Sequence, residues 1–396
     1  MRKMKTPLIQ KISMIPRVGI LVDTSSSWGR RIIQGISNYV RKHETWQLFI
    51  EARGLEEHLR IPKGWQGEGV IARINKAGMG NELRALGIPV VNVSGIQLPI
   101  EPFPTVTTAM REAAGMALEH FVERGFEHFA YFSLLGVSYV TEQQNSFMDA
   151  VREHGSECQI YAVKPHTGAE PDWNLDLAKL GEWLKSLPKP IGILTWNASG
   201  SREILYACHS VGILVPEEVA VLSGSDDDVL CEHVHPPLSA ILVAAEQIGY
   251  QAAQLLHQLM SGKPAPAEPT LIPPVNVVTR QSTDTLAIND PSLVKAMAFI
   301  RSHAGQRIQV SDVARSAGLS RRVLERKFLQ FLDRSPASEI RRAHLERARH
   351  LLIETDLPIP DVAEACGFGS PEYLAYAFKA ESGKTPLDYR KTIRNR

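Results

Sequence analysis

A segment near the C-terminal end of this 396-residue chain places serine, glycine and arginine residues at the spacing of two short, capped helices. Within residues 311–330, Ser311 can cap the first helix, Gly318 allows a left-handed turn, and Ser320 can cap the second helix. The outward side of that second helix holds four charged side chains: Arg321, Arg322, Glu325 and Arg326. This arrangement predicts a helix-turn-helix unit with a basic recognition helix.

The same pattern recurs within residues 359–380, where Gly367 can take the turn and Ser370 the cap. The outward side of its second helix is less polar and holds Glu372, Ala375, Tyr376 and Lys379. We expect the capping serine and the lysine to contact DNA phosphates, and the glutamate and tyrosine to read few bases. The chain therefore carries two units, of which the first is expected to do more of the base reading.

The distribution of charge supports a polyanionic partner for this part of the chain. Residues 293–396 hold 19 Lys and Arg against 12 Asp and Glu, whereas the whole chain carries a net charge of only +1. We expect the arginines of the first recognition helix to contact DNA rather than only to be solvated. Two roles are open for Glu325, since it could accept a hydrogen bond from a cytosine amine or pair with Arg321 or Arg322.

Residues 293–392 resemble the AraC-type transcription-regulator domain. The matching residues are Val362-Ala363, Cys366-Gly367-Phe368, Ser370, Tyr373, Phe378-Lys379, Gly383, Pro386 and Tyr389-Arg390. The resemblance implies two recognition helices that enter successive major-groove segments on one DNA face, ~34 Å apart. His344 departs from the family pattern, which usually has an arginine before the position of Leu345.

Residues 17–283 follow a different pattern, in which short apolar runs alternate with stretches of helical spacing. The runs read as buried strands: 18–22, 48–50, 69–71, 90–93, 129–132, 191–194 and 219–222, with a last strand at 275–279. This alternation predicts parallel sheets in an α/β domain, and its length favours two lobes over one barrel. The proline-rich residues 262–274 resist helix formation, and residues 284–292 read as a linker.

This first part of the chain resembles the sugar-binding domain of LacI-type repressors, which periplasmic binding proteins share. The stretches that carry the resemblance are residues 212–227, Pro237-Leu-Ser-Ala-Ile, Arg280-Gln-Ser-Thr and residues 120–130. The predicted fold is therefore a two-lobed α/β, periplasmic-binding-protein-like domain at 17–283, followed by an all-α tandem helix-turn-helix domain at 293–392.

A sugar site between two lobes needs converging hydrogen-bonding groups and an aromatic platform on the loops at strand ends. Asp23, Ser26 and Trp28 follow the first strand, and Asn197 and Asp226 follow two later strands. The resemblance assigns Asp226 as the sugar-binding acid most directly. Other roles stay open, because Asp226 could cap a helix, Trp28 could lie in the core or at the rim, and Asn197 could stabilise its own loop.

Several positions depart from the sugar-binding pattern of the family. They are Thr108, Ala109, Gln143, Ala198 and Arg73, where the family commonly has polar or charged residues of other types. Gln143 and Arg73 remain candidate ligand contacts. The arginine also leaves open a ligand that carries negative charge.

The sequence excludes some function classes. No apolar run reaches the ~18 residues of a membrane span, and the basic residues 1–16 do not form a secretory signal, so we expect a cytoplasmic protein without a membrane partner. The four cysteines are scattered, which argues against disulfides and against a zinc site. A Mg²⁺ site at Asp226-Asp227-Asp228 is disfavoured, because consecutive side chains point in different directions. We predict no metal and no cofactor.

We find no catalytic motif such as a P-loop or Gly-x-Ser-x-Gly, and predict no enzyme activity. The favoured function is a sugar-responsive transcription activator of a carbohydrate-utilisation operon. It is expected to act as a homodimer on operator DNA, with RNA polymerase as a candidate further partner. Two alternatives stay open: a regulator whose sensor serves only as a dimerisation scaffold, and a small-molecule enzyme on a binding-protein fold.

Overall fold

A computed structural model describes residues 15–43, 46–50, 64–164, 173–285, 287, 290–355 and 357–394. The basic residues 1–14 and the linker positions 286, 288 and 289, all used in the sequence predictions, lie outside these ranges. Within the described part of the chain, every helix is too short or too polar to cross a membrane.

The first part of the chain is a two-lobed α/β domain, here called the sensor. Its elements in chain order are β1 (Arg17–Leu21), α1 (Ser27–His43), β2 (Gln47–Ile50), β3 (Gly69–Ala72), α2 (Ala77–Arg84), β4 (Val90–Asn92), β5 (Val106–Thr108), α3 (Met110–Val122), β6 (His128–Leu134), α4 (Ser138–Glu153), β7 (Cys158–Val163), α5 (Trp173–Ser186), β8 (Ile191–Thr195), α6 (Ala198–Val211), β9 (Val219–Ser223), α7 (Asp228–Glu232), β10 (Ser239–Leu242), α8 (Ala245–Met260), β11 (Thr270–Ile272) and β12 (Asn276–Val278).

Each lobe is built on its own sheet. The first lobe has a parallel sheet in the order β2-β1-β3-β4, beside the short parallel pair β11-β5. The second lobe has the order β12-β10-β9-β8-β6-β7, which is parallel except for β12. The chain passes between the lobes three times, after β5, β10 and β11. The prediction of a two-lobed α/β domain is therefore confirmed.

The central strands form because both of their faces are covered by helices. Every residue of β3, β8 and β9 is buried, which explains their unbroken apolar runs. The sequence missed β5, β7, β10 and β11. Two of these have only three residues, β11 lies in the proline-rich stretch, and the edge strand β7 is only partly buried. Short or half-exposed strands lack a continuous apolar run, so periodicity does not find β5, β7 and β11. The strand β10 is buried and lies in an apolar run that the prediction overlooked.

The second part is an all-α domain, here called the DNA-binding module, as predicted. It comprises α9 (Pro291–Ser302), α10 (Val310–Ser316), α11 (Arg321–Leu332), α12 (Pro336–Glu354), α13 (Ile359–Ala365), α14 (Pro371–Ser382) and α15 (Pro386–Arg394). Gly318 and Gly367 adopt φ of +66° and +69° at the predicted turns. One cap differs from expectation: Gln309, not Ser311, caps α10, because its side chain and that of Asp312 form a capping box.

Two small cores hold this module together, and α12 joins them. Ile340 of α12 packs in the first core with Leu324 and Phe328, whereas Leu345 packs in the second core with Phe378. Burial of each phenylalanine contributes roughly 1.5–3 kcal/mol. Because one continuous helix belongs to both cores, the two helix-turn-helix units are held at a fixed separation.

Charged side chains connect the sensor to the DNA-binding module. We call them the junction cluster: Arg124, Glu217 and Asp284 of the sensor side, and Arg301 and Arg342 of the module. Arg301 Nε lies 2.9 Å from Glu217 Oε1, although the N–H direction is too far off line for a good hydrogen bond. Asp284 pairs with Arg342 on α12. Residues 284 and 285 are therefore packed, and not a free linker.

The helix that begins the module, α9, is capped by Asp290. Asp290 accepts hydrogen bonds from the backbone N–H groups of Ser292 and Leu293, at 3.0 and 3.2 Å, and pairs with Lys327 of α11. Burial opposes ionisation of this carboxyl. The hydrogen bonds from Lys327, Ser292 and Leu293 outweigh that effect and lower its pKa to about 2.

We predict that Asp290→Ala lowers the free energy of unfolding of the DNA-binding module by about 1 kcal/mol at neutral pH. Because folding lowers the pKa of Asp290, its contribution is present above the ordinary carboxyl range and is lost as pH falls towards 2. Calorimetric unfolding of the full chain at about pH 7 and about pH 3 checks this. Asp290→Asn, which retains the cap, is the control. The prediction would be contradicted if the difference in free energy of unfolding between the wild type and Asp290→Ala were as large at about pH 3 as at about pH 7.

Candidate ligand cleft and nucleic-acid interface

A cavity of about 180 Å³ lies between the two lobes of the sensor, at the carboxyl ends of the strands. Aromatic side chains from both lobes line it: Trp28 of the first lobe, and Tyr139 and Trp196 of the second. Its polar lining residues are Ser26, Arg73, Ser94, Thr107, Thr108, Gln143, Asn197 and Ser225. Aromatic faces combined with converging hydrogen-bonding groups suit a small polyhydroxylated molecule.

The charge of Arg73 is balanced inside the first lobe. Its Nη1 donates to Asp23 Oδ2 at 2.8 Å, and its guanidinium lies 5.2 Å from the centre of the Trp28 ring. Asp23 is 2% exposed and also accepts from the Ser26 hydroxyl. Of these residues, Ser26, Trp28 and Arg73 line the cavity as predicted from their position, whereas Asp23 lies behind them and holds two of them in place.

Gln143 reaches the cavity from α4 in a fixed orientation. Its Oε1 accepts from the Tyr131 hydroxyl at 2.8 Å. Burial raises the pKa of Tyr131 well above its usual value, so this hydroxyl stays protonated and remains a donor. A Cβ on Gly224 would lie 2.2 Å from Gln143 Nε2, so only glycine at position 224 leaves room for the amide. The amide nitrogen is thereby directed towards the cavity lining.

Asn197 combines two of the roles left open by the sequence. It caps α6, since its Oδ1 accepts from the backbone N–H of Gly200 at 3.1 Å, and it also lines the cavity. Using the carbonyl oxygen as the cap leaves the amide N–H groups for a ligand. The neighbouring Ala198 is buried in α6 and does not line the cavity.

The expected role of Asp226 needs correction. Asp226 is 8% exposed and is not among the residues that line the cavity. Its two carboxylate oxygens are taken by arginines, Oδ1 by Arg280 at 2.9 Å and Oδ2 by Arg31 at 3.2 Å. The local sequence pattern could not show these partners, because Arg31 comes from the other lobe, about two hundred residues away.

The ion pair of Asp226 belongs to a set of contacts between the lobes that we call the latch: Ser27 and Arg31 of the first lobe, and Asp226, Asp227 and Asp228 of the second. Arg31 of α1 also pairs with Asp228. The backbone N–H of Ser27 donates to Asp227 Oδ2 at 3.3 Å, and the N–H of Asp228 donates to the Ser27 hydroxyl at 3.1 Å. Asp227 also caps α7. The three aspartates thus serve caps and ion pairs, and the described residues contain no cluster of His, Cys, Asp and Glu suited to a metal.

Sequence reasoning missed part of the cavity lining. Trp196 directly precedes Asn197 at the end of β8, so the rule that strand ends face the cleft would have found it. Ser94 directly follows the predicted strand 90–93, so the same rule would have found it as well. Tyr139 enters through the arrangement of the lobes, for which the sequence holds no local signal. Thr108 lines the cavity and Ala109 does not.

The first recognition helix, α11, presents its charges to solvent as predicted. Arg322, Glu325 and Arg326 are exposed, while Leu324 and Phe328 are completely buried. One of the two roles open for Glu325 is occupied in this structure, because Arg321 Nε donates to Glu325 Oε1 at 2.9 Å. The Ser320 hydroxyl accepts from the backbone N–H of Val323 and so caps the helix.

The second recognition helix, α14, exposes an aromatic side chain. Tyr376 is 73% exposed and Lys379 is also exposed. The Ser370 hydroxyl caps the helix by accepting from the backbone N–H of Tyr373 at 3.2 Å. The pKa of Glu372 is lowered by its own backbone N–H and by the Ser370 hydroxyl, so Ser370 also stabilises the charge of Glu372. Lys379 is the cation of α14, and it forms no ion pair with another described residue.

Family models match successive parts of the chain. An XylR N-terminal domain matches residues 17–111, a periplasmic binding protein-like domain matches 118–283, and a helix-turn-helix domain matches 313–392. The xylose operon regulatory protein of Escherichia coli strain K12 is 32% identical over 382 residues, which cover 94% of this chain and 96% of that protein. The chain belongs to the family of xylose operon regulatory proteins.

Other similarities extend over the same length. The xylose operon regulatory protein of Haemophilus influenzae is 31% identical over 383 residues, which cover 94% of this chain and 98% of that protein. A solved structure of the xylose-binding transcription activator XylR is 30% identical, with a TM-score of 0.80, and covers 96% of this chain and 99% of that chain. This regulator is therefore a sugar-sensing, AraC-type DNA-binding transcription regulator and not an enzyme.

We predict that Arg326→Ala weakens binding of this regulator to its operator by ~1–3 kcal/mol, the usual loss for one base contact. Lys379→Ala should instead weaken binding to all sequences and reduce the salt dependence by about one phosphate contact. Gel-shift titrations on a duplex selected with the full chain, and on an unrelated duplex, separate the two effects.

Lys295→Gln is the matched control, because Lys295 is an exposed cation that belongs to α9 and to neither recognition helix. Normal operator binding by Arg326→Ala would show that the first recognition helix is wrongly placed.

Proposed function

We propose that this chain is a cytoplasmic, homodimeric transcription activator that responds to a neutral pentose such as xylose and controls a carbohydrate-utilisation operon. The observation that carries the proposal is the cavity between the lobes, lined by three aromatic rings and the polar ends of Gln143 and Asn197. We choose xylose because the two relatives are named xylose operon regulatory proteins.

The charge balance of the cavity favours a neutral sugar over a sugar acid. Arg73 is the cation among the lining residues, and Asp23 already neutralises it at 2.8 Å. A ligand carboxylate would have to compete with that buried carboxylate for the guanidinium. A neutral sugar needs no such exchange, because it can stack on Trp28 and bond to the outer N–H groups of Arg73.

The cavity also favours a working sensor over a dimerisation scaffold. A scaffold needs no aromatic rings at the cleft and no glycine at position 224 to admit the Gln143 amide. The homodimer itself, held mainly by the sensor, is part of the proposal because closed two-fold pairs are the commonest arrangement of soluble oligomers. In an activator, a DNA-bound dimer would present a surface to RNA polymerase.

We predict that D-xylose, within a panel of pentoses, hexoses and sugar acids, raises the melting temperature of the purified chain. A ligand at about a hundred times its dissociation constant stabilises the folded state by ~2.7 kcal/mol. Asn197→Ser should reduce sugar affinity about tenfold or more, since serine keeps the α6 cap but removes the amide donors.

The matched control is Asn81→Ser, at an exposed position of α2 away from the cavity, which should keep the full thermal shift. A sugar acid as the only stabilising compound would contradict the charge argument. No shift with any compound, together with normal operator binding, would favour the scaffold.

A further inference from the structure

A second cavity, of about 640 Å³, lies in the DNA-binding module between its two helix-turn-helix units. We call it the saddle. Its walls are the loop before α10, the start of α11, one side of α12 and the turn that leads into α14. The residues that line it include Arg307, Arg321, Arg341, His344, Ser370 and Tyr373. Every charged side chain in this lining is basic.

All three arginines of the saddle have exposed side chains. Arg341 projects from α12, and Arg307 from the loop before α10. The guanidinium of Arg307 lies over the turn of the second unit, since a Cβ on Gly369 would be 3.6 Å from its Cζ. The third arginine, Arg321, shares its charge with Glu325. Arg307 and Arg341, which belong to different walls, are therefore the more available cations.

A buried histidine on the floor of the saddle has an unused polar atom. His344 of α12 is 6% exposed, and its ring packs edge-on against Phe368. Its Nε2 is buried and has no hydrogen-bond partner among the described residues. A buried polar atom without a partner is costly. Burial lowers the pKa of His344, and the ring also makes a hydrogen bond to the backbone of Gln306, so the neutral ring has one proton for its two nitrogens. Nε2 donates to a phosphate oxygen when the ring is protonated on both nitrogens. The departure of His344 from the family pattern thus falls within this cavity.

The position of the saddle relates it to DNA. The N-terminal ends of recognition helices contact base edges in the major groove. Arg321 at the start of α11 and Ser370 at the start of α14 both line the saddle, so it lies between the two helix ends that enter successive major-groove segments. The DNA backbone that separates those two segments must pass over it.

We propose that the saddle binds a phosphodiester of the DNA backbone between the two major-groove segments, clamped by Arg307 and Arg341 over the His344 ring. The inference rests on the proposed function, in which both recognition helices face one side of the DNA. The site adds affinity without sequence preference, because it touches only backbone, and it fixes the register of one unit relative to the other.

The test is the salt dependence of binding to an unrelated duplex, long enough for both units, measured by fluorescence anisotropy of the full chain. Arg307→Gln and Arg341→Gln should each weaken binding roughly 5- to 10-fold at about 0.1 M salt, and the two substitutions together should lower the slope of log affinity against log salt by about 0.9, the value for one phosphate. Lys295→Gln on α9 removes the same charge and should leave that slope unchanged.

The histidine is tested by a pair of substitutions. His344→Gln keeps a polar N–H group at the floor and should retain binding, whereas His344→Phe removes it and should weaken binding several-fold. Melting temperatures of both variants without DNA show whether the module is folded. Equal losses of DNA binding in the two folded variants would overturn the role of His344.

Two outcomes would overturn the inference as a whole. The first is an unchanged salt slope in Arg307→Gln and Arg341→Gln while Arg326→Ala still loses operator binding, which leaves the proposed function intact. The second is that inorganic phosphate raises the melting temperature of the wild type but not of Arg341→Gln, while the salt slope of DNA binding is the same in both proteins. That result would assign the saddle to a free anion. If Arg326→Ala also binds operator normally, the placement of the recognition helices fails instead.

Discussion

The connection between sensing and DNA binding depends on the junction cluster, where two sensor carboxylates meet two arginines of the DNA-binding module. Glu217 is 3% exposed and faces Arg301 of α9, and Asp284 faces Arg342 of α12. Burial opposes ionisation of Asp284, but Arg342, Arg301 and Arg124 lower its pKa, so it is charged at neutral pH. Removal of one partner from such a set leaves an uncompensated charge, which makes the contact specific.

The junction cluster is attached to one lobe only. Glu217, Asp284 and Arg124 all belong to the second lobe, where Arg124 donates to the backbone oxygen of Thr283 at 3.1 Å. His120 bonds the Thr283 hydroxyl at 2.7 Å, and burial together with Arg124 lowers its pKa to about 3, so it stays neutral. The described contacts of the junction cluster therefore join the DNA-binding module to the second lobe. The latch at Arg31 and Asp226 sets how that lobe lies against the first.

A ligand between the lobes can act only through its different affinities for different lobe arrangements. In a dimer held by its sensors, a rotation of the second lobes would carry both DNA-binding modules to new positions. Because α12 belongs to both cores of a module, each pair of recognition helices moves as one body. In the proposed function, the first lobe, the latch, the second lobe and the junction cluster form one continuous path from sugar to DNA.

Sequence reasoning predicted the elements whose partners are local. The strands with unbroken apolar runs, the turns at Gly318 and Gly367, and the caps at Ser320 and Ser370 all depend on neighbours within a few residues. Asp226 was assigned to the ligand from the family resemblance, and the sequence could not correct this because the partner Arg31 is remote in sequence. The place of Tyr139 in the cavity lining and the pairing of Glu217 with Arg301 could not be predicted for the same reason, because both depend on how separate parts of the chain pack together.

The central claim, that sugar binding and DNA binding are energetically coupled, is tested most directly by calorimetry of D-xylose binding to the full chain with and without a saturating operator duplex. Coupling through this path requires the operator to tighten sugar binding by the same factor that sugar tightens operator binding, within about 5- to 150-fold for typical allosteric regulators. Equal sugar affinities in the two titrations would contradict the account.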